Sequence, residues 1–167
     1  MIVVADASPL IFLAKVRRLD LVPRLLGRDI RVPKQVRDEV LAPDVDPVES
    51  RELHGFLDAC TIEVVRSPRR FASAMSRADA AALTLAVRHH AGILLCDERI
   101  TRLMAAAEGI RPLGTLGVLL RAMRKDLLSP LETRKLVDLL IRLHSFRIGI
   151  EVYQAVLADI KSYASKQ

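Results

Sequence analysis

Two short apolar runs, residues 2–5 (IVVA) and 93–96 (ILLC), are each followed at once by an acidic residue and then by a helical pattern. Being apolar on both faces, they read as strands buried between layers, unlike the half-exposed strands of an antiparallel sheet. Weaker strand candidates fall at 30–32, 62–65 and 110–113, with helical patterns between them. Strand and helix therefore alternate through the first two-thirds of the chain, which predicts an α/β fold with a mainly parallel central sheet of four to five strands and helices on both faces. From Thr115 onward the pattern is helical, with Leu136, Leu139, Leu140 and Leu143 on one stripe and a last helix around 150–160. A length of 167 residues suits one core, so a single domain over 1–167 is expected, with 115–167 as its helical C-terminal part.

Helix starts carry capping signatures: Ser8 with Pro9, Asp46 with Pro47 and Glu49, Ser76 with Asp79, and Ser129 with Pro130 and Glu132. If Ser8 caps the first helix, Asp6 lies before the cap and is free for another task. Asp97 repeats the arrangement after the second apolar run. In a parallel sheet both strand ends open onto one edge, where the ligands of open α/β sheets bind. Asp79 heads the series Asp79, Ala82, Leu83, Ala86, a face that is otherwise apolar, although an acid three residues after Ser76 also suits a capping box. In PKQVRDEVL, at about 100° per residue, Glu39 lies about 60° from the buried Val36 while Asp38 points away. Four acids at element ends can thus converge on one crevice. Their mutual repulsion is what a divalent cation removes.

Other chemistry is disfavoured by what stands around these acids. The turn after the first run reads DASPL and lacks the glycines of a dinucleotide or phosphate cradle. Carboxylates without organised His or Cys ligands favour Mg²⁺ or Mn²⁺ over zinc. His54, His89, His90 and His144 are scattered, and Cys60 and Cys96 form no metal or redox spacing and read as reduced core residues. A net charge of +6 favours polyanionic partners. No apolar run approaches the roughly 20 residues of a membrane span, and Asp6 interrupts the N-terminal one without a preceding basic region, so a cytoplasmic protein is expected. Residues 67–76 (SPRRFASAMS) read as a loop.

VVADASPLI with Asp6 and Ser8, VPKQVRDEV with Glu39, SRADAAALTLA with Asp79 and ILLCDERI with Asp97 together resemble the PIN-domain nucleases. The likeness is in particular to the VapC-like toxins of prokaryotic toxin–antitoxin pairs and to an uncharacterised PIN-like branch, whose tail IRPLGTLGVLLRA and FRIGIEVYQAVL resemble. The resemblance implies a three-layer α/β/α sandwich, an Mg²⁺- or Mn²⁺-dependent ribonuclease, a homodimer and a small antitoxin partner. Asp6, Glu39, Asp79 and Asp97 would be its metal-holding and catalytic acids, with Glu98 beside Asp97 an alternative for the fourth position. Ser8 would orient a water or the Asp6 carboxylate, and Arg77 and Arg99 are candidates for contacts to RNA phosphates. With four Phe, two Tyr and no Trp, base stacking has little material. Two competing readings stay open: a catalytically weak RNA-binding module, and a phosphate-accepting domain using Asp6 as nucleophile, in which Ser8 stands where a second acid is usual.

Overall fold

The buried residues at the two apolar runs become the centre of a five-stranded, all-parallel sheet in the computed structural model, which describes residues 1–42 and 46–165. The strands are β1 (Val3–Ala5), β2 (Ile30–Pro33), β3 (Thr61–Glu63), β4 (Ile93–Leu95) and β5 (Arg111–Leu113), ordered β3-β2-β1-β4-β5. All six side chains of β1 and β4 are shielded completely from solvent. That is why both are short, β-branched or leucine-rich, and free of polar residues. Ala5 stands opposite Leu95, so the two strands end level.

Helices α1 (Ala7–Lys15) and α2 (Leu21–Leu26) connect β1 to β2, and α3 (Lys34–Val40) and α4 (Pro47–Asp58) connect β2 to β3. The chain then crosses back through α5 (Arg77–Arg88) to β4, and continues through α6 (Arg99–Ala107) to β5. Connections from β1 and β4 therefore run to opposite sides of the sheet, leaving a crevice outside their C-terminal ends. Helix α5 packs on β1, β2 and β4 with an alanine-rich face, in which Ala81, Ala82, Leu83, Leu85 and Ala86 are fully buried. The small side chains let this helix lie close to the sheet, which brings its first turn to the crevice.

The chain divides into two compact units, Met1–Thr115 and Leu116–Gln167. The first holds the sheet. The second is helical, as the sequence predicts, and consists of α7 (Thr115–Arg124) beyond its first residue, α8 (Pro130–Leu143) and α9 (Ile150–Ala164). Within it α8 and α9 pack together, and Tyr153 donates its hydroxyl to Asp138 Oδ1 at 2.9 Å. Tyr163 likewise donates to Asp126, and Arg124 pairs with Asp159.

Three of the four capping signatures form as read. Asp46 Oδ1 accepts from the amides of Val48 and Glu49, Ser76 Oγ from that of Asp79, and Ser129 Oγ from that of Glu132. The fourth does not: α1 starts at Ala7, so Asp6 occupies the cap position and Ser8 lies inside the first turn. The reason is a backbone bond. Asp6 N–H donates to Leu95 O at 3.0 Å, which carries the β1–β4 pairing up to the residue where the helix begins. Pro9 is tolerated there because the first turn has no carbonyl partners to lose. The strand expected at 62–65 also ends early, at Glu63. Gln35 donates its side-chain amide to Val65 O, so that carbonyl is taken from the edge strand.

Truncating a central strand tests this layering. Leu94→Ala should lose about 2–5 kcal/mol in urea unfolding, whereas Asp46→Ala, which removes one helix cap, should lose about 0.5–2 kcal/mol.

Candidate functional site

Asp6 is 1% exposed, and among the described residues neither of its carboxylate oxygens has a hydrogen-bond partner. Its backbone is extended (φ −93°, ψ 168°), and although it precedes α1 its side chain caps no amide of that helix. A carboxylate removed from water without a compensating donor favours its neutral form. Burial, the nearby Asp79 carboxyl and, more weakly, Glu39 push the Asp6 carboxyl well above the usual range, and the Ala7 amide offsets only part of this.

Asp79 reaches Asp6 from the first turn of α5, where Ser76 caps the helix by accepting the Asp79 amide at 3.1 Å. The capping box thus forms in one direction, while the Asp79 carboxyl faces Asp6. Glu39 comes from α3, a helix anchored by the fully buried Val36 and Val40 and packed against both α1 and α5. Partial burial and the Asp79 charge raise its carboxyl from the ordinary value. Its neighbour Asp38 turns outward to Lys34 and Arg37, which hold it below the ordinary value. Asp38 and Glu39, about 100° apart on the helix, border different hollows, and Glu39, the inward candidate of the sequence, reaches the cleft while remaining exposed.

Glu39 and Asp79 line an open cleft of about 330 Å³, together with Ser8, Ser76, Glu98 and Thr101. A larger hollow of about 480 Å³, bordered by Arg37, His54 and Leu57, shares no lining residue with it. Of the two acids at its edge, Asp38 and Asp58, the first is already paired with Lys34 and Arg37.

Asp97 is placed differently. Thr115 donates its backbone amide to Asp97 Oδ1 at 2.8 Å and its hydroxyl to Oδ2 at 2.7 Å. Burial raises the Asp97 carboxyl, while Thr115 and Arg102 act in the opposite direction. The charge of the adjacent Glu98 adds to the rise. The structure therefore brings Asp6, Glu39 and Asp79 together, with Ser8 and Glu98 on the same cleft, and holds Asp97 against the turn after β5. Arg77 and Arg99 are exposed at the first positions of α5 and α6, and neither lines the cleft. Among the described residues no group of three or more His, Cys, Asp or Glu side chains is arranged to hold a metal ion as the carboxylates stand. Sequence reasoning missed the Asp97–Thr115 pairing. Its only signal is a Gly-Thr pair closing the β5 candidate, at the same sheet edge as Asp97.

The family model that matches this chain is described as PIN domain and covers residues 2–162. No curated protein and no solved structure matches it.

The buried Asp6 charge should destabilise the metal-free protein. A carboxyl raised on folding binds its proton more tightly in the folded state, so its contribution to stability falls as pH rises from the ordinary carboxylate range through the raised value. Asp6→Asn should therefore raise the Tm of chelator-treated protein at pH 7 by several degrees, at about 2–4 °C per kcal/mol for a chain of this size. The advantage should shrink on acidification, as thermal unfolding followed by circular dichroism will register.

Proposed function

The chain belongs to the PIN-domain family, whose members are in general nucleases, and on that premise we propose that it is a divalent-metal-dependent endoribonuclease with its active site at the crevice beyond β1 and β4. The observation that carries the reading is the buried, partnerless carboxylate of Asp6 set against Asp79 and Glu39. Asp79 adds to the raised proton affinity of both Asp6 and Glu39, and such a group of acids suits a hard cation, because the ion supplies the missing charge and takes oxygen ligands. Asp6, Asp79, Glu39 and one of the two acids after β4 would hold Mg²⁺ or Mn²⁺. When bound, the ion would polarise a phosphodiester and make water a stronger nucleophile at neutral pH.

The chain's own groups supply the remaining tasks. Ser8, on the cleft wall, orients a water or the Asp6 carboxylate. Arg77 and Arg99 offer cations to the phosphates of a strand lying across the two helix starts, and a net charge of +6 draws a polyanion toward the surface. With six aromatic residues in the chain, four Phe and two Tyr, contacts to backbone and shape outweigh base stacking. RNA is the substrate this reading takes. The likeness to VapC-like toxins extends it to the toxin of a toxin–antitoxin pair, acting in the cytoplasm as a homodimer and restrained by a small antitoxin. No helix among the described residues is long and apolar enough to cross a membrane.

Purified protein should cut single-stranded RNA in Mg²⁺ or Mn²⁺ and stop in excess chelator. Asp6→Asn and Asp79→Asn should each slow cleavage by at least about 10²-fold, a barrier increase of about 2.7 kcal/mol. Cleavage that survives either substitution or persists in chelator contradicts the proposal. RNA binding without cleavage by the wild-type chain favours the catalytically weak binding module instead.

A further inference from the structure

The segment between β3 and α5, residues 66–77 (RSPRRFASAMSR), carries four arginines and no acid. Both of its ends stand at the crevice. At the first, Val65 is fully buried and its carbonyl accepts from the side-chain amide of Gln35, which lies one turn before Glu39 on the same face of α3. At the second, Ala74, Met75 and Ser76 line the cleft with Glu39 and Asp79.

Between these ends a single residue ties the segment down across α5 and α6. Arg69 donates its backbone amide to Thr84 Oγ1 at 2.8 Å, about two turns into α5, and the Thr84 hydroxyl is itself anchored on Ala80 O at 2.7 Å. The Arg69 guanidinium forks onto Glu108 at the end of α6, with Nη2 2.8 Å from Oε1 and Nη1 3.4 Å from Oε2, and it lies 4.7 Å from the centre of the Phe71 ring. A forked ion pair and a stacked ring together fix the side chain, so this arginine is committed.

Arg66, Arg70 and Arg77 are not. All three are exposed, and among the described residues none has a hydrogen-bond or ion-pair partner. Three free cations on one tethered segment repel one another, and a chain of phosphates is the ligand that meets several of them at once. Since the segment starts and ends at the cleft, a strand whose phosphodiester lies there has its neighbouring phosphates within reach of it.

We propose that residues 66–77 form an arm that guides single-stranded RNA between the cleft and the outer side of α5, with Arg66 and Arg70 contacting phosphates and Arg69 positioning the arm through Glu108 and Thr84. This rests on the ribonuclease reading given above. One face of Phe71 is covered by Arg69, so the arm holds backbone and not particular bases.

Fluorescence anisotropy of a labelled single-stranded RNA with the full chain in excess chelator, repeated over a range of KCl, tests the arm apart from cleavage. Arg66→Ala/Arg70→Ala should weaken binding at least about tenfold and reduce the slope of log K against log salt by about 1.4, at about 0.7 per phosphate contact. Arg88→Ala/Arg111→Ala removes the same charge from exposed positions at the opposite edge of the sheet and should stay within about twofold of the wild type. Glu108→Gln releases the clamp while raising the net charge, and should still weaken binding by at least about threefold. In Mn²⁺, Arg66→Ala/Arg70→Ala should raise KM with kcat within about threefold, since the lost contacts hold the substrate and its transition state alike. The arm is overturned by wild-type affinity in Arg66→Ala/Arg70→Ala, by an equal loss in Arg88→Ala/Arg111→Ala, or by a wild-type chain that binds no RNA. Tighter binding by Glu108→Gln overturns the positioning role of Arg69. A wild-type chain that binds RNA through these arginines and never cuts it leaves the arm standing and removes the ribonuclease reading, so the two failures are distinct.

Discussion

A carboxylate buried without a hydrogen-bond donor, at the end of the central strand, is the constraint around which the rest of the first unit is arranged. Asp6 has no other place to go. Its amide is committed to Leu95, β2 and β4 flank its strand, and α1 begins at the next residue. Leaving a buried polar group unpaired costs about 1–3 kcal/mol, and more when it is charged. The fully buried side chains of β1, β4 and α5 offset it, since each large apolar one contributes about 1.5–3 kcal/mol. The same packing that makes the strand centre stable thus holds an acid in an environment it would otherwise avoid.

Around the sheet, several acids outside the cleft are matched with cations. Lys15 pairs with Glu49, Arg69 with Glu108, and Lys34 and Arg37 with Asp38. Glu63 accepts from Arg31 at 3.0 Å and lies 3.0 Å from His89 Nε2. Burial opposes its ionisation, yet His89 and Arg31 together hold its carboxyl below the ordinary value. Glu39 and Asp6 shift the other way, first because burial disfavours their charged forms and then because the neighbouring charges are acids. Removing an ordinary partner would unbalance a pair; here the imbalance is built in, and a bound cation is the simplest counter-charge.

The parts of this arrangement that rest on local pattern were legible in the sequence. The two runs that become β1 and β4 have no polar residue to contradict burial on both faces, and the choice of Glu39 over Asp38 follows from helix geometry alone. What was not legible depends on pairings between distant segments. Ser8 with Pro9 has the composition of a helix start, but the β1–β4 ladder runs one residue past the strand and moves the start to Ala7. Asp97 matches the ordered acids of the family by position, whereas its environment is set by Gly114 and Thr115, and Thr115 stands 18 residues further along the chain. No spacing rule within ILLCDERI distinguishes Asp97 from Glu98.

The central claim, that Asp6 and its neighbouring acids form a cation site, is tested most directly by a crystal structure grown in saturating Mn²⁺ and measured at the manganese absorption edge. The account predicts an anomalous peak within ligand distance of Asp6 and Asp79, with Glu39 turned toward it. Carboxylates that remain as they stand with no anomalous density in the cleft would contradict it.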